Sequence, residues 1–331
     1  MDKILTKKHT FAFSCVFILL IVFMILSIIS GGSSIGLSDV LDSIFNYDTL
    51  DETTKTIIFR IRFPRMIATI FAGATLAVSG ILIKAVVRNP LADTGLLGIQ
   101  SGASFFAMII LIIFPNLLIW LPVAAFCGGL IAYILLNILA FKNGIKPLRL
   151  VLAGVAVNSL FGSGIGMINI FFSDRIQNAL SWMNGSFANV SVNDSKILVL
   201  YSTIALVISI LCIPKCNLLA LDDLTILNLG ENLSFTRFIL STIAVLLSSI
   251  SVSIVGIISF VGLVVPHIGR ILVGSDHKIL LPFSMLLGSL LVLGADTLQV
   301  IIFSPMEIPV GIIISTLGAP FFLFLLKKEN I

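Results

Sequence analysis

The chain has 331 residues, 58% of them hydrophobic and 11% charged, with a formal net charge of +4 and a mean hydropathy of +1.17. Soluble domains carry about 25% charged residues, so the composition excludes a soluble enzyme or binding module and gives an all-α, polytopic membrane protein. Four cysteines (Cys15, Cys127, Cys212, Cys216) sit in or beside apolar runs without the two-residue spacing of metal or redox pairs, which favours small apolar filler over a zinc site or disulfide framework.

The basic N-terminus "MDKILTKKHT" leads into an apolar run from Phe11 to Ser30. At some 20 residues this run is longer than a signal-peptide core, so it is expected to be a retained first span. Further apolar blocks cover roughly 66–87, 95–114, 117–141, 149–172, 195–213, 236–273, 280–302 and 308–326. The block at 236–273 is too long for one helix, and Ser248, Ser249, Ser251, Ser253 and Gly256 supply a place for it to break. Ten spans are therefore predicted, in a single domain over 1–331. Small residues at four-residue spacing (Gly98 and Gly102, Gly128 and Ala132, Gly162 and Gly166) are expected to let helices approach closely.

With the N-terminus inside, fourteen of the twenty lysines and arginines fall in the inner connections and tails, and ten spans return the basic C-terminus to the same side. Both termini are thus expected in the cytoplasm. Four of the exceptions, Lys55, Arg60, Arg62 and Arg65, share one outer segment, 31–65. Pro64 suits the first turn of a helix, so Arg62 and Arg65 would crowd a helix N-terminus against its dipole. They would grip lipid phosphates there or pair with an acidic partner outside, and both readings stand on composition.

The spans themselves are nearly free of charge. Asp296 is the main exception, with Lys84, Asp93 and Glu307 near span ends. This argues against an ion-coupled secondary transporter, which handles its ions with groups deep in the membrane. Of the histidines, His9 is in the tail and His267 and His277 are in or near an inner connection. No H-E-x-x-H or G-x-S-x-G pattern assembles a catalytic cluster. The phosphate loop G-x-x-x-x-G-K-[ST] is absent, so any nucleotide energy must come from another chain. A suitable contact for such a chain is the inner segment 215–235, which mixes leucines with Asp222, Asp223 and Glu231 and has Gly230 to cap a short helix. Its acidity weakens the alternative of an amphipathic helix lying on an anionic leaflet. "RNPLADTGLLG" (88–98) and "FVGLVVPHIGR" (260–270) read, on their own, as stiff turns with capped helix starts.

Together with "RFPR" (62–65), "AGATLAVSG" (72–80), "LVLAGVAVN" (150–158), "SWMNGSF" (181–187), "LLALDDLTILNLG" (218–230), "DHKILLP" (276–282), "GAD" (294–296) and "EIPVGIIISTLGAPFFLFLL" (307–326), these stretches resemble the FecCD or cobalamin-type permeases of ATP-driven importers for ferric siderophores, haem and vitamin B12. The first 55 residues carry little of the likeness. The resemblance implies a type II ABC importer permease in a bacterial cytoplasmic membrane, moving a ferric siderophore first, haem or cobalamin as alternatives. It implies no cofactor on this chain, a second permease subunit identical or homologous, two ATPases that use ATP and Mg, and an extracytoplasmic binding lipoprotein or periplasmic protein. It assigns Arg62 and Arg65, with Arg60 as a third member, to docking of that binding protein. It assigns Leu221, Asp223, Leu229 and Gly230 to ATPase coupling, with Asp222 where the pattern has glycine. Asn89 and Leu91 are implied at an inner gate, opposite the turn Gly144, Ile145, Lys146 and Pro147. Gln299 and Val300 stand where a further outer arginine commonly occurs. A weakly interacting path for a bulky polar ligand is expected along Asn158, Ser159, Ser163 and Asn169.

Overall fold

The computed structural model describes residues 2–31, 36, 51–140 and 146–328. Helices are built wherever apolar runs are long enough to satisfy their own backbone inside a bilayer. In chain order they are α1 (Asp2–Ile29), α2 (Glu52–Val87), α3 (Ile99–Ile113), α4 (Leu121–Ala140), α5 (Pro147–Phe171), α6 (Gln177–Met183), α7 (Val192–Leu211), α8 (Ile213–Leu218), α9 (Asp223–Asn228), α10 (Leu233–Val255), α11 (Val261–Val273), α12 (His277–Phe303) and α13 (Val310–Lys328). Among the described residues, seven helices are long and apolar enough to cross a membrane, and three shorter apolar ones, α3, α11 and the apolar part of α13, bring the number to the expected ten.

The bundle is organised around α2, which packs on α12, α10, α11 and α7; α1 lies outside against α12, and α3 bridges to α4 and α5. Two glycine crossings bring backbones into contact. A Cβ on Gly73 would lie 2.2 Å from the Gly288 carbonyl oxygen, and one on Gly80 would lie 2.2 Å from that of Gly262. Gly102 and Gly128 make the expected close approach between α3 and α4, whereas Gly162 and Gly166 face open space within this chain. Hydroxyls supply interhelical bonds, since hydrocarbon offers no competing partner: Ser79 Oγ donates to Ala244 O at 2.6 Å and Ser289 Oγ to Ile70 O at 2.8 Å.

One expectation needs correction. The second span does not begin at Pro64. It is helical from Glu52, capped by Asp51, whose carboxylate accepts from Thr54 N at 3.1 Å. Residues Ile57–Arg62 form a π-helical turn, closed by the Phe63 N–H on the Ile58 carbonyl five residues back. Widening the helix just ahead of Pro64 accommodates a residue with no N–H to give. Arg62 and Arg65 therefore lie within a continuous helix and meet no N-terminal dipole. The long block breaks at Gly256, one of the residues expected to break it, with φ 74°, while the serines before it are buried in α10. Phe260, also left-handed at φ 69°, starts α11, which at 13 residues is about 20 Å long and shorter than the roughly 30 Å hydrocarbon layer. The turn after α6 supports this joint, with Ser186 N donating to Val255 O at 2.9 Å and Gly311 N to Gly185 O at 3.3 Å.

Candidate functional site

At one end of the bundle, α2 stops because Arg88 adopts a left-handed conformation, φ 52°. Its side chain then reaches α8 and α9. Nη1 lies 2.6 Å from Asp223 Oδ1, Nε donates to Leu219 O at 3.1 Å, and Nη2 donates to Leu221 O. Arg237, in the first turns of α10, donates to the same Asp223 carboxylate at 3.0 Å. One carboxylate thus holds two guanidinium groups and fastens α9 to the ends of both α2 and α10. Asp222 is the N-cap of α9, accepting from Thr225 N at 3.0 Å and Thr225 Oγ1 at 2.7 Å. The Thr225 hydroxyl and amide hold its carboxyl below the usual carboxylate range. The aspartate found in place of glycine is therefore a start signal for the helix. Ile226 anchors α9 inward, while Leu221, Leu224, Leu227 and Leu229 face out, Leu224 at 73% exposure. Gly230, at φ 79°, ends the element, with open space where a Cβ would stand.

Next to this clamp, Asn89 Oδ1 accepts from Leu91 N at 2.8 Å and fixes the turn after α2. Asp93 caps the following turn through Thr94 N at 2.8 Å, and Thr94 bonds Ser248 of α10 at 3.2 Å. Burial pushes the Asp93 carboxyl above its ordinary range. Lys146 and Pro147 open α5, with Lys146 exposed. Gly144 and Ile145 lie outside the described residues, as do 32–35 and 37–50 of the outer segment.

At the opposite end, the three arginines separate. Arg60 is exposed. Arg62 is buried, its Nη1 donating to the carbonyls of Ile28 at 2.6 Å and Ile29 at 2.8 Å, where it completes the C-terminus of α1. Arg65 forms a two-point pair with Asp296, Nε to Oδ2 and Nη2 to Oδ1 both at 2.9 Å, and reaches Glu307 at 2.9 Å and Gln299 at 3.2 Å. These groups line a cavity of about 300 Å³ between α1, α2 and α12. The pairing joins residues 231 apart in sequence. Its only trace in the sequence was the isolated charge at Asp296.

Among the expected path residues, Asn158 Nδ2 donates to Gly95 O at 2.9 Å and is committed to holding the turn ahead of α3. Ser159 and Ser163 are exposed on α5 and bond back to its own carbonyls. Asn169 is half-buried one and a half turns further on.

Residues 19–328 match the profile of the FecCD transport family. The chain belongs to the FecCD transport family. Among curated relatives it is 38% identical over 325 residues to the Fe(3+)-citrate import system permease YfmE of Bacillus subtilis, covering 98% of both chains. Similarity to YfmD of the same organism is 36%, over 90% of this chain and 89% of that one. IsdF of Staphylococcus aureus, named a probable haem-iron transport system permease, is 32% identical over 98% of each. A solved inward-facing transporter described as of the metal-chelate ABC type superposes with TM-score 0.85 at 27% identity, covering 99% of this chain and 100% of that one. PsaBC of Streptococcus pneumoniae shares the fold alone, at TM-score 0.54 and 19% identity over 86% of this chain. As a FecCD-family chain the protein is an ABC importer permease, and the FecCD match runs unbroken across both ends of the bundle.

Proposed function

We propose that this permease passes a ferric chelate of the siderophore or citrate type across the cytoplasmic membrane, with a partner ATPase bound on α9 and a binding protein delivering the cargo at the Arg60 end. The observation that carries the proposal is the exposed leucine face of α9 seated on the Arg88–Asp223–Arg237 clamp. An apolar helix face fastened by charge to two long helices suits a partner that pushes. In this arrangement the Asp223 end is cytoplasmic and ATP and Mg are bound on the ATPase chain. Arg60 offers the exposed contact for the binding protein, while Arg62 and Arg65 keep the surface beneath it in shape. A second permease, identical or homologous, completes the conduit. The exposed Ser159 and Ser163, with Gly162 and Gly166 open beside them, give α5 a small, polar face suited to lining it. Similarity to Fe(3+)-citrate permeases supports the iron cargo. The full-length likeness to a haem-iron permease favours haem as the second reading.

The test is uptake of radiolabelled iron with citrate, with a siderophore panel and as haem, in cells lacking the chain and in cells carrying Leu224→Asp/Leu227→Asp. We expect uptake of one iron chelate to disappear in both, with the variant still in the membrane and no longer co-purifying with the ATPase. Retained uptake and co-purification in the variant would remove α9 from coupling; loss of haem uptake alone would move the cargo to the second reading.

A further inference from the structure

Behind the clamp lies a cavity of about 280 Å³, bounded by the end of α2, the turn at Asn89 and Pro90, α8, α11 and the start of α12. Its charged lining is of one sign: Lys84, Arg88 and Arg270, with the imidazole of His277. No carboxylate lines it. The acidic groups nearby are engaged on other faces. Asp223 is held by Arg88 and Arg237, Asp93 caps its own turn while lying in electrostatic reach of Lys84, and Asp276 bonds Asn217 and the Lys278 amide. Lys84 is 3% exposed and spends one proton on the Leu263 carbonyl at 2.7 Å. Among the described residues Arg270 forms no ion pair with a carboxylate, although it is in electrostatic reach of both Lys84 and His277. His277 is 6% exposed; its Nδ1 donates to Asn217 Oδ1 at 2.6 Å, and its Nε2 has no hydrogen-bond partner. Cations this close repel one another across a partly dry space, and a buried imidazole nitrogen without a partner costs free energy. An anion rich in oxygens relieves both. A phosphate group has the size, the charge and the several acceptors for two guanidinium groups and an ammonium, and the protonated oxygen of a free phosphate, or the glycerol hydroxyl of a phosphatidylglycerol headgroup, can donate to Nε2.

We propose that this cavity is a phosphate-binding site, occupied either by a lipid phosphodiester headgroup or by a free phosphate. The site does not depend on the cargo, and it shares Arg88 with the clamp that seats α9. Its test uses the transporter purified with its bound subunits and placed in phosphatidylcholine nanodiscs. Thermal unfolding is followed against added inorganic phosphate, and in parallel with phosphatidylglycerol replacing part of the phosphatidylcholine. Arg270→Gln removes one charge-assisted donor pair and should weaken the apparent affinity about tenfold. Ala220→Glu keeps every cation and delivers a carboxylate from an exposed position on the cavity wall. That variant should lose the response without losing the fold, and it keeps the test open if Arg270→Gln does not assemble. Saturable stabilisation by inorganic phosphate that Arg270→Gln weakens and Ala220→Glu abolishes assigns a free phosphate; stabilisation by phosphatidylglycerol alone, changed in the same way by the two variants, assigns a lipid headgroup. Wild type and Ala220→Glu behaving alike in both series would overturn the site.

Discussion

Asp296 is 2% exposed at its side chain and depends on Arg65 for its charge, whereas Glu307, on the same guanidinium, is 54% exposed. Removing the buried partner leaves Arg65, itself 14% exposed, with the half-exposed Glu307 alone, whereas removing Glu307 leaves the two-point buried pair intact. Asp296→Ala should therefore destabilise the protein by about 3–5 kcal/mol and Glu307→Ala by about 0–1 kcal/mol. Detergent-solubilised protein followed by thermal unfolding checks both, and equal effects would show that the buried pair carries no special weight. The sequence marked Asp296 as a rare deep charge but could not say what it met, because pairing across helices leaves no spacing to read. For the same reason Arg62 and Arg65 looked like surface groups, while the structure gives them internal partners. Asp222 was different. Its role as a helix cap follows from Thr225 three residues on, a signal local enough to have been read as a cap rather than only as a departure from a pattern.

Among the helices, close approach decides what can be changed. At Gly80 an added methyl meets backbone of α11, which cannot rotate away, so Gly80→Ala should cost about 1–3 kcal/mol. Gly166 has open space around it and lies inside α5, so Gly166→Ala should be neutral or stabilise by up to about 1 kcal/mol. Unfolding of the two variants side by side tests the contrast; a destabilised Gly166→Ala would show that another subunit packs there. The number and order of membrane helices were legible, since twenty-residue apolar runs leave little choice. Boundaries were less so. The π-helical turn at Ile57–Arg62 and the short α11 depend on what neighbouring elements offer to unsatisfied backbone, and hydropathy does not record that.

For the molecule as a whole, ten crossings carry a simple requirement: both chain ends and α9 share one side, and Arg60 and Asp174 share the other. Single cysteines at Lys8, Leu224 and Lys327, in a chain whose own four cysteines have been replaced, should react with a membrane-impermeant maleimide only in inverted vesicles. Cysteines at Arg60 and Asp174 should react in intact cells. A Leu224→Cys chain labelled from outside the cell would reverse the orientation. The even number of spans and the bias of lysine and arginine pointed this way from sequence, because charge is costly to move across a bilayer and so records which side it began on.

The clamp at Arg88 has a mechanical meaning. One side chain is tied to three acceptors, two in the link between α8 and α9 and one on α9, and its own backbone is the last residue before the Asn89–Pro90 turn. Such a joint has almost no slack. A push of an ångström on α9 has no loose rotamer in which to be lost and must appear at the end of α2, so the stroke delivered at the surface and the stroke felt at the turn are nearly the same length.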